Sequence, residues 1–254
     1  SGVSLLTQII STDETIGSDD IISVGSGRNT IIGGFGADTV TGGANEDVVI
    51  GDSGNATFNS SGILTAINTI TPDVGGSDII NVGDGYNVVI GGFGGDQITG
   101  GDDRDVIIGD NGSTTFSATG ILLAIGTLDP TIGGVDTINT GAGDNTVLGG
   151  IGGDQITGGD GRDVVIGDNG NAEFDATGVL INIQSSDAAI IGDYDDIILT
   201  GNGFNTVLGG NGADSITGGD DTDVVLGDNG SATFVNISGV SLLTQIISTD
   251  ETIG

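Results

Sequence analysis

The string Gly33-Gly34-Phe35-Gly36-Ala37-Asp38-Thr39-Val40-Thr41-Gly42-Gly43 returns three more times in this chain, little changed. Its aspartate is Asp38, then Asp96, Asp154 and Asp214, at nearly equal intervals. Repetition at a fixed period restricts a chain to stacked, quasi-one-dimensional architectures, because each repeat buries its apolar side only against the next. Four modules follow: residues 15–72, 73–130, 131–190 and 191–251. Residues 1–14 read as the end of a preceding unit and 252–254 as the start of a following one, the whole of 1–254 being one continuous solenoid.

A shorter period lies inside each module. The first module reads as five nonapeptides, Thr15–Ser23, Val24–Ile32, Gly33–Thr41, Gly42–Ile50 and Gly51–Asn59, followed by an insert, Ser60–Pro72. Later inserts are Ala118–Pro130, Ala176–Ile190 and Asn236–Glu251. Position 8 of every nonapeptide is apolar, as in Ile22, Ile31, Val40, Val49 and Phe58. Its flanks are often β-branched, so positions 7 to 9 predict a three-residue strand with the middle side chain inward. Positions 1 to 6 are rich in Gly, Asp and Asn, which suit tight turns with positive φ. Each nonapeptide is then half a coil, and two parallel sheets enclose a stack of Ile, Val, Leu and Phe.

Charge decides what such a stack needs. The chain has 36 acidic residues against three basic ones, Arg28, Arg104 and Arg162, for a net charge of -33. Nucleic acid and anionic membrane surfaces are poor partners for that charge, and a divalent cation is a good one. There is no Cys or His, so neither thiolate nor imidazole ligation is open. No apolar run reaches the roughly 18–20 residues of a membrane span, and Ser1–Gly17 carries no secretion signal pattern.

Gly33–Thr41 fits the pattern GGxGxDxUx, with U a large apolar residue, and the other nonapeptides follow it in register. The chain resembles the hemolysin-type calcium-binding repeats of the RTX family. The resemblance implies an all-β, right-handed parallel β-roll, and Ca²⁺ held between turns one coil apart by Asp carboxylates and turn carbonyls. Ca²⁺ takes six to eight oxygens. The implied ligands in the third register are Gly33, Gly34, Gly36 and Asp38; Gly91, Gly92, Gly94 and Asp96; Gly149, Gly150, Gly152 and Asp154; and Gly209, Gly210, Gly212 and Asp214. The first register adds Asp20, Asp78, Asp136 and Asp196, and the fourth adds Asp47, Asp105, Asp163 and Asp223. The second carries Asn29, Asn87, Asn145 and Asn205 instead, a weaker site or a turn cap. The fifth has no Asp at position 6 but gains Asp52, Asp110, Asp168 and Asp228 at position 2.

Five half-coils would leave the sheets out of phase at each module boundary. Gly62-Ile63-Leu64-Thr65-Ala66-Ile67 in the insert is strand-like, so a sixth half-coil is expected, giving about three coils per module and a rise of roughly 58 Å over four modules. The even registers carry apolar residues where side chains should point outward, as in Val48, Ile50, Val106 and Ile108. That stripe is either an interface for lateral association or a surface beneath part of the insert.

Ser1–Gly17 and Ser238–Gly254 are identical. The four-module unit is therefore itself repeated, and copies joined end to end, covalently or as a polymer, are the expected partner. No catalytic constellation is visible, so no enzyme activity is expected. The leading expectation is a calcium-stabilised structural segment of a secreted or cell-surface filament, adhesin or matrix protein. The alternative is the calcium-folded C-terminal repeat region of a type I-secreted enzyme or toxin. Either places the chain outside the cell.

Overall fold

The computed structural model describes residues 4–186 and 194–249. The ends of the inserts Ala176–Ile190 and Asn236–Glu251, and residues 252–254, lie partly or wholly outside them. Among the described residues all regular structure is β, in three sheets. No helix among the described residues is long and apolar enough to cross a membrane.

Two of the sheets are parallel and eight-stranded. One collects the first- and third-register strands, such as Ile79–Asn81, Gln97–Thr99 and Thr137–Asn139. The other collects the second- and fourth-register strands, such as Val88–Ile90, Val106–Ile108 and Thr146–Leu148. Position 8 stacks on position 8 throughout: Ile98 between Ile80 and Ile138 in the odd sheet, Ile107 between Val89 and Val147 in the even sheet. These side chains form one dry core between the sheets. Two turns and two strands make one coil, so the chain is a parallel β-roll.

The fifth nonapeptide and the insert depart from the expected half-coils. Together they form an antiparallel hairpin in each module: Gly54–Phe58 with Leu64–Thr69, Gly112–Phe116 with Leu122–Thr127, Gly170–Phe174 with Leu180–Ser185, and Gly230–Ile237 with Val240–Ser248. The hairpins pair with each other and, with Gln8–Ile10, make a nine-stranded sheet. Each module therefore has two coils, not three. Local chemistry explains the reversal. Asn59 Oδ1 accepts the N–H groups of Ser61 and Ile63, and Gly62 takes φ 76°, which closes a tight loop.

The hairpin sheet lies on the outer face of the even sheet. Phe116, expected in the first core, packs here with Leu122, Ile125, Val106 and Ile108 in a second core. Of the two expectations for the outer stripe, burial beneath the insert is what is found: Val106 and Ile108 are both 0 % exposed. Even strands are thus buried on both faces, while odd strands alternate exposed, buried, exposed. The lateral contact expected through this stripe has no exposed stripe to use.

Hydrogen bonds record the period. Carboxylates on the turn edge bond to the backbone 18 residues earlier within a module and 40 or 42 residues earlier across a hairpin, so each hairpin is spliced into a coil. The break falls inside a turn. Gly51-Asp52 supplies the first half of an odd turn, and Gly75-Gly76-Ser77-Asp78 supplies the second. Stacking shows the equivalence, since Gly34 N–H donates to Gly51 O and Gly51 N–H donates to Ile90 O.

Candidate metal centre

The position-6 aspartates of the odd turns form one continuous rank. Asp38 Oδ1 accepts the Asp20 N–H at 2.7 Å, Asp78 accepts from Asp38 and Asp96 from Asp78. Asp136, Asp154, Asp196 and Asp214 continue it at 2.7 to 3.0 Å. Each carboxylate thus ties its coil to the preceding one through a charge-assisted bond. The strands on either side fix the spacing, because Asp always directly precedes a paired residue.

Only one oxygen of each carboxylate is used. The second oxygen of Asp38, Asp78, Asp96, Asp136, Asp154, Asp196 and Asp214 is buried with no hydrogen-bond partner. A buried acceptor without a donor is costly, so this row needs a proton or a cation. Beside each lies a position-1 glycine. A methyl group at Gly33 would collide with Asp38 Oδ2 and with the carbonyl oxygen of Gly51. Gly91 is placed in the same way between Asp96 and Gly109, Gly149 between Asp154 and Gly167, and Gly209 between Asp214 and Gly227. Carboxylate and carbonyl oxygens from adjacent coils therefore converge there. Gly34, Gly92, Gly150 and Gly210 take φ 111–123°, and Gly36, Gly94, Gly152 and Gly212 take φ 109–133°, which hold the turn in that shape.

Burial raises the proton affinity of these groups. Asp78 is pushed up to about 7, mainly by burial and against the Asp38 N–H bond. Burial pushes Asp154 to about 7, Asp196 to about 9 and Asp214 to about 6. Asp38 is also raised. Asp96 and Asp136 rise well above the ordinary range through burial and then through a neighbouring carboxylate, Asp136 for the former and Asp154 for the latter.

The even edge is built differently. There Asp and Asn alternate, with Asn29 N–H on Asp47 Oδ1, Asp47 N–H on Asn87 Oδ1 and Asn87 N–H on Asp105 Oδ1. Asn145, Asp163, Asn205 and Asp223 continue the series. Each Asn turns its amide inward. Asn87 Nδ2 donates to Gly83 O and Gly85 O, and Asn29 does the same to Gly25 O and Gly27 O. The amide thus satisfies turn carbonyls that Asp cannot, which matches the turn-capping role. Asp105 Oδ2 and Asp163 Oδ2 remain buried without donors, and burial pushes these groups to about 8 and about 7. Asp47 Oδ2 accepts the Gly43 N–H instead. Asp20 lies exposed at the first turn, and Asp223 is half-buried at the last even turn.

The position-2 aspartates do something the sequence did not reveal. Asp52 Oδ1 accepts the Gly76 N–H and its Oδ2 accepts the Phe93 N–H, at 3.0 and 2.5 Å. Asp110 does the same with Gly134 and Ile151, and Asp168 Oδ2 accepts from Asn211. These carboxylates close the split turn across the hairpin. Burial, then Asp78, pushes Asp52 up to about 8; burial, then Asp136, pushes Asp110 to about 10. Asp228 at the last such position is exposed.

Among the described residues no three acidic side chains gather as a cation site. An ion between coils must therefore draw on main-chain carbonyls to reach six to eight oxygens, and the glycine turns present those. The donor set is all oxygen, charged and closely spaced, which suits a hard divalent cation.

Comparison with known families points the same way. The model of the RTX calcium-binding nonapeptide repeat matches residues 23–58, 74–107, 82–116, 139–171, 190–225 and 199–233, together more than half of the chain. Comparison with curated proteins gave no match. The chain belongs to the RTX family of calcium-binding nonapeptide repeats, and its repeats bind calcium ions.

Proposed function

We propose that this calcium-binding repeat region is a structural rod, a segment of a secreted or cell-surface filament, adhesin or matrix protein that continues end to end through copies of itself, with no catalytic role. The observation that carries this reading is the recurrence of Ser1–Gly17 as Ser238–Gly254 in a chain whose three sheets run its whole described length without a break. Ion sites are assigned to every odd interval, with Asp38, Asp78, Asp96, Asp136, Asp154, Asp196 and Asp214 contributing the free oxygen and the adjoining turn glycines their carbonyls. Asp105 and Asp163 serve the even edge, with Asn amides closing alternate turns. When bound, calcium supplies positive charge to buried carboxylates, so binding free energy becomes folding free energy. Extracellular modules bind Ca²⁺ at about 10⁻⁴–10⁻³ M, which favours a rod assembled after export.

Circular dichroism of the full chain with millimolar calcium and with chelator tests the calcium dependence. Strong β signal only with calcium is expected, and equal β-content in both would overturn it. Mass and electron microscopy of the native protein test the rod. Long thin particles support it, whereas a catalytic domain joined to a single short repeat region would favour a secreted enzyme or toxin.

A further inference from the structure

Charge is spread unevenly over the surfaces of the roll. Each odd strand, read from the end of its turn, shows positions 5, 7 and 9 on the outer face and buries positions 6 and 8. Ser77–Asn81, Val135–Asn139 and Asp195–Leu199 all run exposed, buried, exposed, buried, exposed. Over the eight odd strands those three outward positions hold only two charged residues, Asp19 and Asp195, in a chain with 36 acidic ones. The even turns, by contrast, expose Asp84, Asp102, Asp103, Asp160 and Asp220. Apolar side chains stand out on the same charge-poor face. Val135 is 64 % exposed, Ile79 51 %, Ile197 45 % and Leu199 41 %. None of them is at a sheet edge: Ile79 lies between Thr39 and Gln97, and Ile197 between Gln155 and Ser215.

Parallel sheets are ordinarily covered on both faces. The even sheet meets that rule, with the first core on one side and the hairpins on the other. The odd sheet has the first core beneath it and bare side chains above. The outer face of the hairpin sheet is also poor in charge, but its chemistry differs. There Gln8 Nε2 donates to Asn55 Oδ1, Asn55 Nδ2 to Asn68 Oδ1, and Thr57 Oγ1 to Ala66 O, so its polar groups are paired along the face. No hairpin strand from Gly54–Phe58 to Leu180–Ser185 exposes a large apolar side chain. The odd outer face alone combines low charge with repeated exposed Ile, Leu and Val among these interior strands.

We propose that this chain associates side by side with a second copy, the outer face of the odd sheet against the same face of its partner, burying Ile79, Val135, Ile197 and Leu199 between them. The inference goes beyond the end-to-end reading and does not depend on it. Charge selects the occupant. Two chains of net charge -33 repel along their turns and approach closely only through a face that carries almost none. A two-fold contact sets the same residues on both sides, so each apolar side chain counts twice. Eight strands at about 4.8 Å and four residue steps at about 3.3 Å give a face of about 38 Å by about 13 Å. Two copies then bury about 1,000 Å², the lower bound for a specific interface. The contact is therefore weak for one chain and strengthens with every further module that a longer rod would align.

Sedimentation velocity of the full chain in millimolar calcium, across a concentration series, tests the contact. Circular dichroism in the same buffer checks that each variant keeps its fold. Concentration-dependent dimers are expected for the unaltered chain. Gln97→Glu with Gln155→Glu changes two exposed amides on the odd face to carboxylates of the same shape, places four new charges in the contact, and should abolish association. Thr115→Glu with Gln184→Glu adds the same charge to exposed positions of the hairpin face and should leave it unchanged. Ile79→Thr keeps a β-branched side chain but removes apolar surface from both copies, and should weaken association about tenfold. A folded chain that stays monomeric at every concentration overturns the proposal. So does association that the odd-face pair leaves intact, which would speak for end-to-end contact, or that both charge pairs reduce equally. A monomer that instead pellets with microcrystalline cellulose, and loses that binding in the Gln97→Glu, Gln155→Glu chain, would assign the face to a flat polysaccharide and not to a second copy.

Discussion

At the residue scale, the oxygen left without a donor on the buried position-6 aspartates, Asp78 and Asp105 among them, decides the chemistry of the roll. Proton and cation compete for it, and the pKa values give the sign. Asp78, Asp105, Asp154, Asp163 and Asp196 lie at about 7, 8, 7, 7 and 9 in the metal-free fold, against about 3.9 in an unfolded chain. Raised folded values mean that the fold binds more protons than the unfolded chain. Their contribution to stability is therefore complete below about pH 4 and is lost as pH rises through about 7 to 9. Chelated protein should hold more β structure at pH 5 than at pH 8.5, and calcium should remove most of the difference; circular dichroism at the two pH values reads this. A metal-free fold that strengthens toward pH 8.5 would refute it. Position-6 aspartates and the Asn turn caps were legible in the sequence because each recurs at one fixed place in the nine-residue frame, although only the Asn amide finds its partners inside its own repeat while the Asp carboxylate bonds the preceding coil. Asp52 was not, since its partners Gly76 and Phe93 lie 24 and 41 residues away, beyond a hairpin whose return is invisible to a nine-residue frame. Asp103 is a smaller case. It occupies a turn position where Gly is the rule and takes φ 88°. Asp103→Gly should raise the melting temperature in calcium, by relief of roughly 1 kcal/mol of backbone strain.

At the element scale, parallel strands were legible and hairpins were not. The odd and even strands follow directly from position 8 and its flanks. The fifth nonapeptide keeps the same spacing and the same apolar position 8, so it looks like another half-coil. What distinguishes it is a second small inward residue two places earlier, Ala56 before Phe58 and Thr114 before Phe116. That is the period of a strand one face of which is buried along its length. Ala56 and Thr114 are 0 % and 1 % exposed against the even sheet. Four variants separate the layers. Val165→Asp places a charge in the first core and should prevent folding even in calcium, whereas Thr39→Asp, on the outer face of the odd sheet, should be mild. Phe116→Ala should cost about 3–5 kcal/mol from the second core. Lysine at both Val106 and Ile108 should unfold the roll rather than reduce lateral contact, because the hairpins cover both residues. Chemical denaturation in calcium measures all of these, and a stable Val106→Lys, Ile108→Lys protein would mean that the hairpin layer detaches.

At the scale of the whole molecule, the hairpins and the coils share one lattice. Each module contributes two strands to each parallel sheet and two to the hairpin sheet. All three layers therefore advance together at the inter-strand spacing, and the hairpin sheet remains in register along the rod. A third coil would have broken this match, with three strands in each parallel sheet against a smaller number above them. The consequence is a shorter rod than a three-coil module gives. Eight coils at about 4.8 Å advance roughly 38 Å per four-module unit, not roughly 58 Å. Fibre diffraction or electron microscopy of aligned native material in calcium should show that axial repeat, with a strong reflection at about 4.8 Å along the rod. Chelation should abolish both, since the rank of buried carboxylates runs parallel to the same axis and repels itself without its cation. The longer repeat would require the fifth nonapeptide to coil rather than fold back. The shorter repeat, if it survives chelation, would mean that apolar stacking alone sustains the rod, and that the ions only decorate it.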